Sequence, residues 1–380
     1  MRVAPVCSVV RYQIVVIATC FIAAACGGPP HPPPANPSEP APRGSVPAAR
    51  GATEQATGRS PSSAAAVASS ERTGREDKPP EPGAPEPARP RSIFPPKDFP
   101  PPSQKSAAPG DGRWTPFGDA ALGERAAAEP RAVVRTVVHP HPESRFVTVT
   151  IAALDLDRLS LHLAPGTEDL AWAKLKPGES AGLVPASDRD ALVLVTNGGF
   201  QPKHGRWGLA ANGVVVTPPR KEGCTVALYG TSSVRVAPWP ALADSAAEMT
   251  SYRQTPPCIL DGGAVHPALL KGLDKPWAGH TADLTTRRRS AVGIDADGQV
   301  LFYAIGEEAS PRWLAEALRI AGAKSAAQLD INWYWTRFLL FGTEGGALHV
   351  TSTLIPKMEH LRTEYVERAS SRDFFYVIRK

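Results

Sequence analysis

Three polar residues in this chain, Asn197, Arg289 and Asp330, stand where apolar runs begin or end. Asp330 follows Ala326-Ala-Gln-Leu329, and a carboxylate there can serve as nucleophile, as base, or as the partner that orients an arginine. Asn197 closes the run Ala191-Leu-Val-Leu-Val-Thr196 and precedes Gly198-Gly199. Glycines at that point let a backbone approach a ligand, and the amide offers both a donor and an acceptor. Arg289 opens Ser-Ala-Val-Gly-Ile294, and its planar fork suits a phosphate. A carboxylate, a guanidinium and an amide at strand ends are suited to phosphate or sugar chemistry. Each has a plainer reading beside it: a tight turn for Asn197, a solvated basic run for Arg287-Arg288-Arg289, a cap for Asp330. The run Trp333-Tyr334-Trp335 could stack on a sugar ring or plug the core. His139 and His141, in His-Pro-His-Pro, read as a turn, because the intervening proline imposes no convergent ligand geometry.

Strands are needed to hold these residues. Ala132–Val138, Arg145–Ile151 and Arg158–Leu163 are β-branched or alternating, as half-buried strands require. Ala191–Thr196 is apolar throughout and reads as a central strand covered on both faces. Asn212-Gly213, between Trp207–Ala211 and Val214–Val216, predicts a hairpin, and Asp295-Ala-Asp-Gly298 predicts another between Ala291–Ile294 and Val300–Ile305. Thr225–Tyr229 and Ser233–Ala237 read as further strands. One helix is clear, with Ser310 as its cap, Pro311 in its first turn, Gly322 at its end, and Leu314, Ala317, Leu318 and Ala321 along one face. Many strands and few helices, out of strict alternation, predict an α+β domain with a mixed, largely antiparallel sheet.

Composition divides the chain. All eight tryptophans lie from Trp114 onward, whereas residues 27–112 contain no tryptophan or tyrosine and more than half of the 41 prolines. Proline lacks a backbone donor, and so few large apolar groups cannot offset the entropy of ordering. Residues 26–112 therefore read as a disordered, partly polyproline II tether, and 113–380 as the folded domain, long enough for one well-buried core. Residues 1–25 have a basic start and an apolar run, Ile14 to Ala25, too short for a comfortable membrane span. Ala23-Ala-Ala-Cys26 resembles a bacterial lipobox, which makes Cys26 the expected lipidated N-terminus. An ordinary secretory signal or an uncleaved anchor remain the alternatives. Gly27 after that cysteine resembles lipoproteins sorted to an outer membrane, so the expected place is the bacterial cell envelope. In an oxidising compartment Cys224 and Cys258 can pair, or stand as two buried thiols. The net charge of +5 is small and scattered, which speaks against nucleic acid as a partner. No Cys-x-x-Cys or His-rich pattern points to a metal, no nucleotide-binding glycine pattern is visible, and no cofactor is expected.

Taken in order, Thr196-Asn-Gly-Gly-Phe200, Gly208-Leu-Ala-Ala-Asn-Gly213, Arg289–Gly298, the helix and Ala326-Ala-Gln-Leu-Asp330 resemble the phosphodiester glycosidase domain, the domain of the mannose 6-phosphate uncovering enzyme. The resemblance spans roughly residues 131–380. It implies hydrolysis of a sugar joined through its anomeric carbon to a phosphodiester, with Asn197, Arg289 and Asp330 on the site positions and Gly198, Gly199, Gln254, Asn332 and Trp333 as substrate contacts. One departure is large. The hydrolases continue after the aspartate with glycines and a serine, whereas this chain continues Ile331-Asn-Trp-Tyr-Trp335. A glycine run can fold into an amide nest for phosphate oxygens, and this bulky run cannot easily do so. Arg253-Gln254, Ile259-Leu-Asp-Gly-Gly263 and Ser371-Arg-Asp-Phe-Phe375 resemble a bacterial subgroup with the same Leu-Asp-Ile-Asn continuation. The alternative expectation is a lipoprotein that binds a glycan or sugar phosphate without turning it over.

Overall fold

Strand-forming runs of β-branched and aromatic residues are gathered into three sheets, and every pairing between the strands is antiparallel. The computed structural model describes residues 93–380 except 118–130, 177, 179–180, 231–232 and 279–286. The expected signal segment, Cys26 and the expected tether as far as residue 92 lie outside the described residues. The described residues belong to one compact unit, residues 81–380.

The first sheet runs β1 (Thr115–Pro116), β2 (Val133–Val138), β3 (Thr148–Asp155), β14 (Val300–Ala309), β13 (Arg287–Ile294), β15 (Ser325–Gln328), β11 (Leu260–Asp261) and β12 (Ala264–Val265). The second is β7 (Val214–Thr217), β6 (Leu209–Ala211), β10 (Ser251–Thr255), β8 (Cys224–Tyr229) and β9 (Ser233–Pro238). The third is β17 (Ala347–Thr353), β16 (Phe338–Glu344), β5 (Leu192–Asn197), β18 (Phe374–Arg379) and β4 (Leu159–Ala164). The architecture is α+β, with the antiparallel pairing divided among three sheets rather than held in one.

The first sheet separates two cores. On one face the helix Pro311–Ile320 packs with Leu314, Ala317 and Leu318 against Ile151, Phe302 and Ala304. Ser310 caps this helix by accepting from the Trp313 N–H at 3.5 Å. On the other face Val292, Ile294, Leu301 and Tyr303 meet Leu194, Phe338, Phe374 and other residues of the third sheet. Central β5 is buried at all six positions, which its continuous apolar sequence requires. The Asn212-Gly213 turn takes positive φ at both residues, 50° and 77°, the geometry that suits the right-handed twist of a two-residue hairpin. β3 starts at Thr148 rather than Arg145, and Phe146 is left 78% exposed.

The folded body begins before residue 113. Phe94 and Phe99 pack against the helix-side core together with Trp114, the Phe99 N–H donates to Gly112 O, and the Gly112 N–H donates to Val137 O. The last stretch expected for the tether, residues 93–112, is thereby tied to β2. The two phenylalanines supply apolar area that the proline runs lack.

Cys224 and Cys258 form a disulfide that closes a 34-residue separation between β8 and the approach to β11. Chain-entropy reasoning puts its contribution at about 3–4 kcal/mol. Serine at both positions is expected to lower the urea unfolding free energy by that amount with an unchanged far-UV spectrum. A loss below about 1 kcal/mol would show that the denatured state is not restrained by the bridge.

Candidate functional site

Five chain segments meet where the first and third sheets touch: the ends of β5 and β15, the starts of β16 and β18, and the middle of β13. Leu329 N–H donates to Ser290 O at 2.8 Å and Asp330 N–H to Gly198 O at 3.3 Å, so the chain leaving β15 is laid across the end of β5. Asn197 is 4% exposed and all of its hydrogen-bonding capacity is used. Its Nδ2 donates to Gly198 O at 2.9 Å and to Ser290 Oγ at 3.0 Å. Its Oδ1 accepts from the Tyr303 hydroxyl at 2.5 Å and from Arg337 N–H at 3.1 Å. Ser290 Oγ in turn donates to Asp330 O at 2.9 Å. Asn197 and Asp330 are therefore brought together through Ser290, and Asn197 acts by fixing the strand ends.

Arg289 is not part of this group. Side chains alternate across a strand, so Ser290 and Val292 face the third sheet while Arg289 and Ala291 face the helix. The fully buried Arg289 guanidinium donates to Ala309 O at 2.9 Å, Trp277 O at 3.0 Å and Gln328 Oε1 at 3.2 Å. Burial lowers its pKa to about 10, with Arg287 adding to the shift and Asp274 opposing it. The arginine on the site side of β13 is Arg288, whose guanidinium donates through Nε to Glu307 Oε1 at 3.0 Å and lies over the Trp333 ring.

Asp330 is 6% exposed. Its Oδ1 accepts from Asn332 N–H at 2.9 Å, and its Oδ2 lies 3.6 Å from Arg372 Nη2. Burial raises its pKa above the ordinary carboxylate range; Arg372 and the Asn332 N–H oppose the rise, and Asp373 adds to it. The loop that follows consists of two successive side-chain turns, because Asn332 Oδ1 accepts from Tyr334 N–H at 3.0 Å just as Asp330 accepts from Asn332. The amides of residues 332 and 334 are thereby consumed inside the loop rather than turned toward an anion. Each aromatic residue of the loop carries an arginine: Arg288 on Trp333, Arg337 on Tyr334 at 5.4 Å and Arg372 on Trp335 at 4.9 Å. Trp333 and Tyr334 remain 56% and 58% exposed.

Beneath the loop lies a buried ion pair. Arg253 donates to Asp373 through Nε at 2.7 Å and Nη2 at 3.0 Å, with exposures of 1% and 2%. Asp373 Oδ2 also accepts from Gly199 N–H at 2.8 Å. A Cβ at Gly198 would fall 1.9 Å from Asp373 Oδ2, and one at Gly199 2.6 Å from Arg253 Cζ. The two glycines thus admit the ion pair rather than a ligand. Gln254, expected as a substrate contact, is fully buried and spends its amide on Gly208 N–H, Arg220 N–H, Arg220 O and Thr225 Oγ1. His139 Nδ1 lies 3.0 Å from Asp111 and ties the turn to that earlier segment, whereas His141 Nδ1 accepts from Glu143 and Ser144 N–H within the turn. No group of three or more candidate metal ligands occurs among the described residues.

Asp169, 1% exposed, adds a third carboxyl to the cluster and accepts from Gly166 N–H at 3.0 Å. Burial raises its pKa to about 7, Asp373 adds to the rise, and Arg253 opposes it. A carboxyl with a folded pKa above its unfolded one binds more protons when folded. Stability at Asp169 is accordingly present below about pH 4 and falls as pH rises toward 7, by roughly 1.4 kcal/mol per unit at most. Asp169→Asn keeps the acceptor for Gly166 and cannot ionise. The difference in urea unfolding free energy between variant and wild type is expected to grow from pH 4.5 to pH 8, and a constant difference would refute this account.

Sequence reasoning reaches Arg253, Arg372 and Asp373 only through their resemblance, and does not reach Asp169, Ser290, Tyr303 and Arg337. A usable signal is present at Asp373, which directly precedes Phe374-Phe-Tyr-Val377. A charge set against such a run is commonly buried and paired.

No protein-family model and no curated protein matches the sequence. Among solved structures, the chain is similar to the catalytic domain of zebrafish N-acetylglucosamine-1-phosphodiester alpha-N-acetylglucosaminidase, auto-inhibited by its pro-peptide, with TM-score 0.40, 14% identity, and coverage of 67% of this chain and 85% of that one. It is also similar to a hypothetical protein from Synechocystis, with TM-score 0.37, 12% identity, and coverage of 67% and 65%.

Proposed function

We propose that this domain hydrolyses a glycosyl-1-phosphodiester, or a related envelope glycan, and is held at the bacterial cell envelope by lipid on Cys26. The observation that carries the reading is the buried Asp330 carboxyl, set beside a guanidinium and behind a rim of exposed aromatic rings. Desolvation makes an ionised carboxylate a stronger base and nucleophile, which suits attack at an anomeric carbon either directly or through water. Water adds to that carbon, the bond to the phosphate oxygen breaks, and free sugar and a phosphomonoester leave. Phosphate is a good leaving group, so strong help from a second carboxylic acid is unnecessary. Arg288 covers one face of Trp333, and the exposed remainder of that ring offers a sugar a stacking surface. The order of motifs along the sequence supports the same reaction class, and the lipobox-like Ala23-Ala-Ala-Cys26 supports the anchor.

A second reading, a module that holds a sugar phosphate without turnover, is favoured by one observation: Trp335 stacks on Arg372 and Asp330 is nearly closed off. A panel of glycosyl-1-phosphodiesters assayed for free reducing sugar separates the two. Release by the wild-type chain supports hydrolysis, whereas binding of the panel without any release removes the enzyme reading.

A further inference from the structure

Four arginines surround the loop after Asp330, and three of them already hold a carboxylate. Arg253 holds Asp373, Arg288 holds Glu307, and Arg337 lies 3.3 Å from Glu364. Arg372 differs. Its side chain is 8% exposed, its Nη2 stands 3.6 Å from Asp330 Oδ2, beyond a hydrogen bond, and its Nε and Nη1 are buried with no hydrogen-bond partner. An arginine cannot shed its charge to relieve such a position. Besides the Asp330 carboxyl, what lies against it is the Trp335 ring at 4.9 Å, a cation–π contact that makes no hydrogen bond to its N–H groups.

We propose that Arg372 is the anion-binding residue of the site, that its ligand is the phosphate group of a phosphodiester, and that Trp335 covers it in this structure. The choice of ligand rests on the phosphodiester reading above. Nε and Nη2 share one edge of the guanidinium, and that edge is the planar fork that matches two non-bridging phosphate oxygens. A diester carries a single negative charge, which the neighbouring Asp330 carboxyl opposes less than the double charge of a phosphomonoester. Trp335 is carried by a loop whose bonds are local, since its own N–H donates to Asn332 O at 2.9 Å. The ring can therefore turn away without a ladder bond being broken. In a conformational equilibrium of this kind the covered fraction weakens apparent affinity, and removing the cover restores it.

Isothermal titration of the full chain with dimethyl phosphate tests the proposal, with inorganic phosphate and acetate as comparison arms. The wild type is expected to bind the diester weakly, and Trp335→Ala to bind it on the order of tenfold more tightly as the cover is lost. Arg372→Gln should abolish binding in either background. Arg372→Lys keeps the charge without the fork and should lose most of the affinity, which checks the role should the glutamine variant misfold. Unchanged affinity in Trp335→Ala, binding that survives Arg372→Lys undiminished, or acetate bound as well as the diester would each overturn the inference. Diester binding through Arg372 with no turnover on the substrate panel leaves this inference standing and removes hydrolysis. Turnover without such binding does the reverse.

Discussion

Asparagine in place of Asp330 is expected to leave the domain folded and to lower sugar release from a glycosyl-1-phosphodiester by roughly 10²–10⁴-fold, the range for loss of one positioned acid–base group. The fold should stand because the amide retains an oxygen to accept from Asn332 N–H and spares the protein a desolvated carboxylate. The rate should fall because an amide is neither base nor nucleophile at any working pH. The wild-type pH profile gives the matching sign. A base works only when ionised, and burial raises the Asp330 pKa, so activity should rise with pH along a limb that lies above the ordinary carboxylate range. Turnover undiminished in the variant would remove Asp330 from the chemistry. An acidic limb near pH 4 would mean that the carboxyl is hydrated during the reaction.

How much of this was legible in the sequence depended on which scale was read. The hairpin at Asn212-Gly213, the helix opened by Ser310-Pro311 and the buried strand ending at Asn197 follow from local chemistry: positive φ, capping, and an unbroken apolar run. Their positions changed little in three dimensions. The meeting of Asn197 with Asp330 was half legible, since both close strands, but the link between them is Ser290, an unremarked side chain in the middle of β13. The misplacement of Arg289 has a simple cause. A strand places neighbouring residues on opposite faces, and a run of three arginines does not reveal which face holds the site until the partner sheets are known. Arg288 and Arg289 thus exchange the places that a one-residue shift would have given them. A boundary placed by composition skips Phe94 and Phe99, two apolar anchors set among prolines. The roles of Gly198 and Gly199 were out of reach, because the groups that need the space, Asp373 and Arg253, are far away in sequence.

Those same two glycines bear on the second large effect. Asp373→Ala is expected to lower the unfolding free energy by about 3–5 kcal/mol, the usual consequence of removing one partner from a buried ion pair. Arg253 would be left 1% exposed with its charge intact, and Gly199 N–H would lose its acceptor. Arg253 also donates to Trp207 O at 3.2 Å and Gln254 O at 2.9 Å, but neutral carbonyls cannot replace a carboxylate as a counter-charge. Replacing both partners with apolar residues, Arg253→Met with Asp373→Leu, should recover much of the loss, because most of it is the cost of the stranded charge. A urea-denaturation cycle over the two single variants and the double one measures this, and a single-variant loss below about 1 kcal/mol would show the pair to be solvated or replaceable. Asp373 stands between Arg372 and the first residue of β18, so the pair also sets where Arg372 stands beside Asp330. An apolar double variant that regains stability but loses dimethyl phosphate binding would separate the two contributions: the fold tolerates a neutral core there, whereas the site needs the ion pair to aim Arg372.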